Sequence, residues 1–261
     1  MIFYMSKKPN YRRIARTRWT KNKNLNIVIS ILVILALAFV VPKLKEQLNQ
    51  SSGTAQTQLT NQDAKNQTDL AALEYNGNQT IQINNNNPGF TTAEMSLKKG
   101  TWQEYGNLDS KNRVTIAKAM LGKDLMPKAE RERLYVDPTG YHNKKVAMNG
   151  HYDWLYNRCH LIGYQLTGQN NNLKNLMTGT RSLNDPGMTE YENQIAEYIR
   201  TTNHHVLYYV QPIFRGDELV ARGISMRAQS VEDSTIKFNI YIFNVQEGVS
   251  INYADGTSRK V

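Results

Sequence analysis

Three stretches in the last quarter of the chain, Val206–Phe214, Leu219–Val231 and Ile236–Val245, are dense in β-branched and aromatic residues, and short polar turns such as Arg215-Gly216-Asp217 separate them. Runs of this kind predict strands. Connections so short make antiparallel pairing the natural outcome. Upstream, Met188, Tyr191, Ile195, Tyr198 and Ile199 recur at helical spacing and predict a helix over about Thr189–Arg200. Arg113–Leu121, closed by Gly122, also reads as a helix. Pro127–Arg133 reads as a short helix or turn, and Asp137-Pro138-Thr139-Gly140 as a turn. The class expected is α+β, with a central antiparallel sheet.

The N-terminal third has a different pattern. Ile27–Val41 is an uncharged apolar run followed by Pro42. It is shorter than the roughly 20 residues a spanning helix prefers and falls within the range of a signal h-region. Lys7, Lys8, Arg12, Arg13, Arg16, Arg18, Lys21 and Lys23 precede it, and only Lys43 and Lys45 follow closely. The positive-inside rule then leaves the N-terminus in the cytoplasm and exports the remainder. No Ala-x-Ala site follows the run, so an uncleaved membrane anchor is expected; cleavage would give a secreted protein. From Gln47 to about Asn87 the chain turns to Gln, Asn, Ser, Thr and Ala, the composition of a flexible spacer, with Ile81 and Ile83 as candidates for a first strand. The organisation expected is a basic cytoplasmic N-terminus (1–26), a single N-terminal anchor helix (27–42), a tether (43–87) and a folded domain (88–261).

Charge changes this picture less than its size suggests. The chain carries 32 Lys+Arg against 22 Asp+Glu, a net charge of +10. Ten of those basic residues and one of the acids lie within residues 1–48, which leaves 22 against 21 for the rest. The excess therefore belongs to the membrane flank, and any nucleic-acid surface must come from local placement of Arg and Lys. Cys159 is the single cysteine, so an exported domain has no internal disulfide and depends on its core.

The five histidines, His142, His151, His160, His204 and His205, show no zinc-ligand spacing. A thiol hydrolase using Cys159 and His160 is disfavoured, because neighbours on an extended strand point to opposite faces. Cys159 is expected to be a packing residue behind the site. The string Asn157-Arg158-Cys159-His160-Leu161-Ile162-Gly163-Tyr164 is followed by Asn175, by Asn184 and by a helix carrying Glu192. This set, with Lys174-Asn175-Leu176 and Thr178-Gly179-Thr180-Arg181, resembles the DNA/RNA non-specific endonuclease family. The core of that family is the ββα-metal (His-Me) finger, and the resemblance is especially close to the membrane-bound DNA-entry nucleases of bacteria. The family signature is Asp-Arg-Gly-His, so Asn157 replaces the acid and Cys159 the glycine.

The resemblance implies a metal-dependent, sequence-non-specific endonuclease acting on DNA or RNA and leaving 5′-phosphate ends. His160 is implied as general base and Asn184 as the metal ligand, with Mg²⁺, or Mn²⁺ in its place, as cofactor. Glu192 is implied to order the metal's waters. The chemistry suits these residue types. Hydrolysis of an anionic diester needs an activated water and neutralised charge. An imidazole titrates near working pH, and Mg²⁺ keeps several waters and needs few protein ligands. Arg158, two residues before His160, is placed on the same strand face to clamp phosphate.

Alternatives stay open at several residues. Thr189-x-x-Glu192 is also a capping-box pattern. Asn175 either organises its loop or contacts substrate. Arg181, Arg131 and Arg133 are either phosphate contacts or solvated surface. Two other functions compete with the nuclease: a surface DNA receptor with decayed catalysis, and a cell-wall or peptide hydrolase using Cys159.

Overall fold

The computed structural model describes residues 69–148 and 150–261. The basic N-terminus, the anchor segment 27–42 and the first part of the tether lie outside the described residues. Among the described residues no helix is long and apolar enough to cross a membrane.

The fold is α+β around one six-stranded sheet. Its strands are β1 (Thr80–Gln82), β2 (Trp102–Tyr105), β3 (Ala117–Leu121), β8 (Val206–Ile213), β9 (Gly223–Ser230) and β10 (Lys237–Phe243), in the order β1-β10-β9-β8-β3-β2. Every neighbouring pair is antiparallel. The hairpins β8–β9 and β9–β10 come from the three apolar runs, as their composition predicts. Two-stranded pairs complete the architecture: β4 (Lys145–Met148) with β5 (His151–Trp154), β6 (Tyr156–His160) with β7 (Leu176–Thr180), and β11 (Val249–Ile251) with β12 (Ser258–Lys260). The helices are α1 (Tyr164–Thr167) and α2 (Thr189–Thr202).

Both faces of the sheet are covered, which explains why its central strands are apolar almost throughout. On one face Ala117, Ala119, Leu121, Tyr208, Val210, Ile224, Met226 and Ile240 pack with Ile195, Ala196 and Ile199 of α2 and with Leu161 and Leu166. On the other, Met120, Leu207 and Tyr209 are covered by Phe90, Met95, Leu97 and Trp102. The side chain of Asn244, fully buried, ties β7 to the sheet: it accepts from Thr180 N–H at 2.8 Å and donates to the carbonyls of Thr178 and Ala221 at 3.0 and 2.9 Å.

Three expectations change. Residues 113–121 do not form a helix; Ala117–Leu121 is strand β3, bonded to β2 on one side and β8 on the other. Ala, Lys, Met and Leu favour helix in isolation. Here the two-residue period of a strand puts Ala117, Ala119 and Leu121 on the α2 side, and two ladders of backbone bonds override local preference. The folded unit also begins before residue 88. β1 pairs with β10, and Leu70, Leu73, Ile81 and Ile83 pack with Tyr241, Phe243 and Ile213. Arg215 donates to the carbonyls of Ala71 and Leu73 and pairs with Glu74 at 3.0 Å. Pro127–Arg133 is irregular rather than helical.

Candidate active site

The pair β6–β7 and the helix α2 carry the residues singled out by sequence. His160 ends β6 opposite Leu176. The chain then turns through Leu161–Gly163 into α1, and Asn175 fixes that turn. Its Oδ1 accepts from Ile162 N–H at 2.9 Å, its Nδ2 donates to the Ile162 carbonyl at 3.0 Å, and its own carbonyl accepts from Leu161 N–H at 2.9 Å. Asn175 is fully buried with both amide ends engaged. The expectation that it touches substrate gives way to the loop-organising alternative, because the side chain is fully buried and both its ends are bonded within the turn.

His160 is buried at its base, 7% exposed, and still borders a cavity of about 240 Å³. Its Nε2 lies 2.8 Å from the Asn170 carbonyl. A carbonyl only accepts, so Nε2 carries the proton and the neutral ring keeps its lone pair on Nδ1. Burial is the largest influence on the imidazole and lowers its pKa below the usual 6.5. The Asn170 and Gln169 carbonyls pull it back, and the Arg131 charge pushes it further down. The ring is therefore neutral at pH 7 and able to take a proton.

Glu192 faces the same cavity from α2 and is 5% exposed. Its Oε1 accepts from Gly163 N–H at 2.7 Å. Burial raises its pKa to about 8, against the Gly163 bond and the Arg131 charge, which lower it. The capping-box alternative fails: Thr189 is already helical, and its hydroxyl donates to Asp185 at 2.9 Å instead. A glutamate buried at a cavity wall with Oε2 free of hydrogen bonds among the described residues is placed to act on something in that cavity. Gly163 has no room for a side chain, since a Cβ there would lie 2.3 Å from Glu192 Oε2.

Asn184 sits in the irregular turn Leu183–Met188 and lines both this cavity and an adjoining cleft of about 590 Å³. Among the described residues its side-chain amide has no hydrogen-bond partner. Arg131 lines both hollows as well. No group of three or more His, Cys, Asp or Glu able to hold a metal occurs among the described residues. One free amide oxygen beside a buried carboxylate, with space between, fits an oxygen-loving ion that keeps most of its waters, and does not fit a closed zinc cage.

Arg158 alternates with His160 along β6, but the two open into different hollows, Arg158 into the larger cleft. Its guanidinium pairs with Asp137 (Nη2–Oδ1 2.5 Å) and lies 4.7 Å from the Tyr141 ring centroid. Arg181, exposed, and Arg133 line the same cleft; Arg181 also reaches Asp185 at 3.4 Å. Asn157, in the position of the family's acid, faces this cleft. Cys159 faces the opposite way, is fully buried, and has its Sγ 3.4 Å from Met188 Sδ. Burial raises its thiol pKa far above the ordinary range. That removes the cysteine-hydrolase alternative. The extra bulk relative to glycine is taken up across the ladder, where Gly179 lacks the Cβ that would lie 2.8 Å from Cys159 Cβ.

Sequence reasoning passed over Asp137, Asn170, Tyr141, Trp154 and the Gly163 contact. It ranked Arg131 no higher than other surface arginines. A Gly directly after an apolar pair was the one available signal for Gly163; the other positions carry none.

The family model described as DNA/RNA non-specific endonuclease matches residues 95–232. A deoxyribonuclease from Streptococcus dysgalactiae subsp. equisimilis is 32% identical over 107 residues, covering 39% of this chain and 32% of the relative. The chain thus spans about a third of the length of that relative. Among solved structures, NucA from Streptococcus agalactiae with a magnesium ion bound has a TM-score of 0.64 at 23% identity, covering 77% of this chain and 98% of the other. The Sda1 nuclease with a bound zinc ion has a TM-score of 0.55 at 24% identity, covering 61% and 81%. At these identities the structural likeness is one of fold.

Proposed function

The chain belongs to the DNA/RNA non-specific endonuclease family, and from that premise we propose that it is a divalent-metal-dependent endonuclease that hydrolyses phosphodiester bonds of DNA, with RNA as a second substrate, without regard to base sequence. The observation that carries this reading is His160: the Asn170 carbonyl fixes its tautomer while its ring borders the cavity shared with Asn184, Arg131 and Glu192.

In this reading β6, β7 and α2 form the ββα-metal unit. Nδ1 of His160 takes a proton from a water, whose oxygen attacks phosphorus as the 3′-oxygen departs and takes up a proton from solvent water, leaving a 5′-phosphate and a 3′-hydroxyl. Asn184 would hold Mg²⁺, or Mn²⁺ with the same oxygen preference, and the ion would supply Lewis acidity toward the leaving oxygen. Glu192 orients waters in the cavity through its free Oε2. Arg131 neutralises charge on the diester between the two hollows, and Arg158 and Arg181 hold neighbouring phosphates in the cleft. Phosphate must compete with Asp137 for Arg158. None of these groups reads a base edge, which favours cutting with little sequence preference. The magnesium- and zinc-bound neighbours support a divalent ion.

We also place the nuclease domain outside the cytoplasmic membrane, held by the apolar segment 27–42 with the N-terminus inside; the charge asymmetry around that segment supports this. The impaired-receptor reading loses half its ground, because Gly179 accommodates Cys159. Supercoiled plasmid incubated with the protein in Mg²⁺, in Mn²⁺ and in EDTA tests the proposal. Relaxed and linear products in either ion, none in EDTA, and ends that ligate without prior phosphorylation are expected. Cutting that persists in EDTA would count against the metal, and binding without cutting would favour the receptor.

A further inference from the structure

The larger cleft has an aromatic wall that the hydrolysis does not use. Trp154, Tyr156, Asn157 and Arg158 line it along the stretch of chain that ends at His160. The aromatic rings there are not equivalent. Tyr156 is buried, its hydroxyl donating to the Gly256 carbonyl at 2.9 Å. Tyr141 is covered by the Arg158 guanidinium. Trp154 is 49% exposed, and its cross-strand partner Lys145 places Nζ 5.6 Å from the ring centroid. A large indole held open in a cleft lined by four arginines is out of place in a site that grips only phosphate, since an aromatic face offers an anion no favourable charge.

We propose that Trp154 is a stacking platform for an unpaired nucleobase next to the scissile phosphate, so that the cleft prefers single-stranded or locally opened nucleic acid. The proposal rests on the nuclease reading and deepens it. Bases within a duplex offer only their edges to a protein, their faces being occupied by neighbouring bases. An aromatic side chain meets a base face only where the base is unpaired or turned out. The cleft, about 590 Å³, has room for a nucleotide. Arg158 and Arg181 in the same cleft hold the phosphates on either side of such a base. Stacking on a π-face is tolerant of base identity, so the preference for unpaired strands coexists with indifference to sequence.

The test compares two strands of equal length and charge: oligothymidylate, and an oligomer of abasic tetrahydrofuran residues. Affinities are measured by fluorescence anisotropy on the full-length protein carrying His160→Ala, so that neither strand is consumed. Trp154→Ala is expected to weaken oligothymidylate binding on the order of tenfold, to leave the abasic strand unchanged, and to be largely rescued by Trp154→Phe. In the His160 protein, the same substitution lowers cleavage of oligothymidylate more than of a fully paired duplex. Equal loss on both strands, or none on either, overturns the stacking platform while the nuclease reading stands. Absence of Mg²⁺-dependent cleavage of any strand by the parent protein overturns the nuclease reading, and absence of binding to either strand overturns both.

Discussion

At His160 the competing influences have a readable consequence. Burial and the Arg131 charge lower the imidazole pKa, and the two backbone carbonyls raise it without restoring it to 6.5. A base must be unprotonated, so kcat/KM is expected to hold level through neutral pH and to fall as pH drops through a value below 6.5. Arg131→Gln removes one lowering influence and should move that acid limb upward, besides reducing the rate. A pH–rate profile of both proteins checks this; an unmoved limb would show that Arg131 does not act on the ring. Glu192 gives the opposite sign. Its folded-state pKa of about 8 stands above the ordinary glutamate value of 4.5, so the metal-free protein loses stability as pH rises between those values. Glu192→Gln keeps an acceptor for Gly163 N–H and does not titrate. In EDTA, its melting temperature relative to the parent should therefore rise with pH through that window and level off above it. A pH-independent difference would contradict a buried, titrating carboxylate. His160, Asn184 and Glu192 were legible in the sequence through a family resemblance, because their chemistry demands particular residue types at particular spacings. Asn170 was not, since it acts through a backbone carbonyl that every residue possesses.

At the scale of elements, the site depends on two contacts that hold the turn after β6. Asn175→Ala leaves the Ile162 N–H and carbonyl buried without partners, a cost of about 2–4 kcal/mol. Thermal unfolding should show this loss, with activity falling together with the folded fraction. A raised KM at unchanged stability would instead restore the substrate-contact role. Gly163→Ala should displace the Glu192 carboxylate, since no space exists for the methyl group, and lower activity with a smaller effect on folding. The strands β8, β9 and β10 and helix α2 were legible because apolar spacing states which face is buried. β3 was not, because Ala117–Leu121 is built of residues that favour a helix until neighbours bond to both of its edges. No local pattern announces that its partners are β2, close by, and β8, nearly 90 residues downstream.

For the whole molecule, the boundary of the folded unit matters to how the domain is displayed. A polar composition marked residues 43–87 as spacer, yet the apolar residues Leu70, Leu73 and Ile81 within it pack on the sheet and β1 pairs with β10. Few and widely spaced apolar residues conceal an edge strand whose stability comes from an existing sheet. A fragment of residues 69–261 should therefore melt higher than one of 88–261, by on the order of 5–10 °C. Equal melting temperatures would show that the segment is a spacer after all. Charge misleads at this scale in the same way: the net +10 lies mostly beside the apolar segment 27–42, while the cleft draws on Arg131, Arg133, Arg158 and Arg181. All these features converge on one imidazole, and the most direct test is the rate of plasmid cleavage by His160→Ala in saturating Mg²⁺. With the fold intact by circular dichroism, the account predicts a rate lower by roughly 10²–10⁴-fold; cleavage at the parent rate would contradict it.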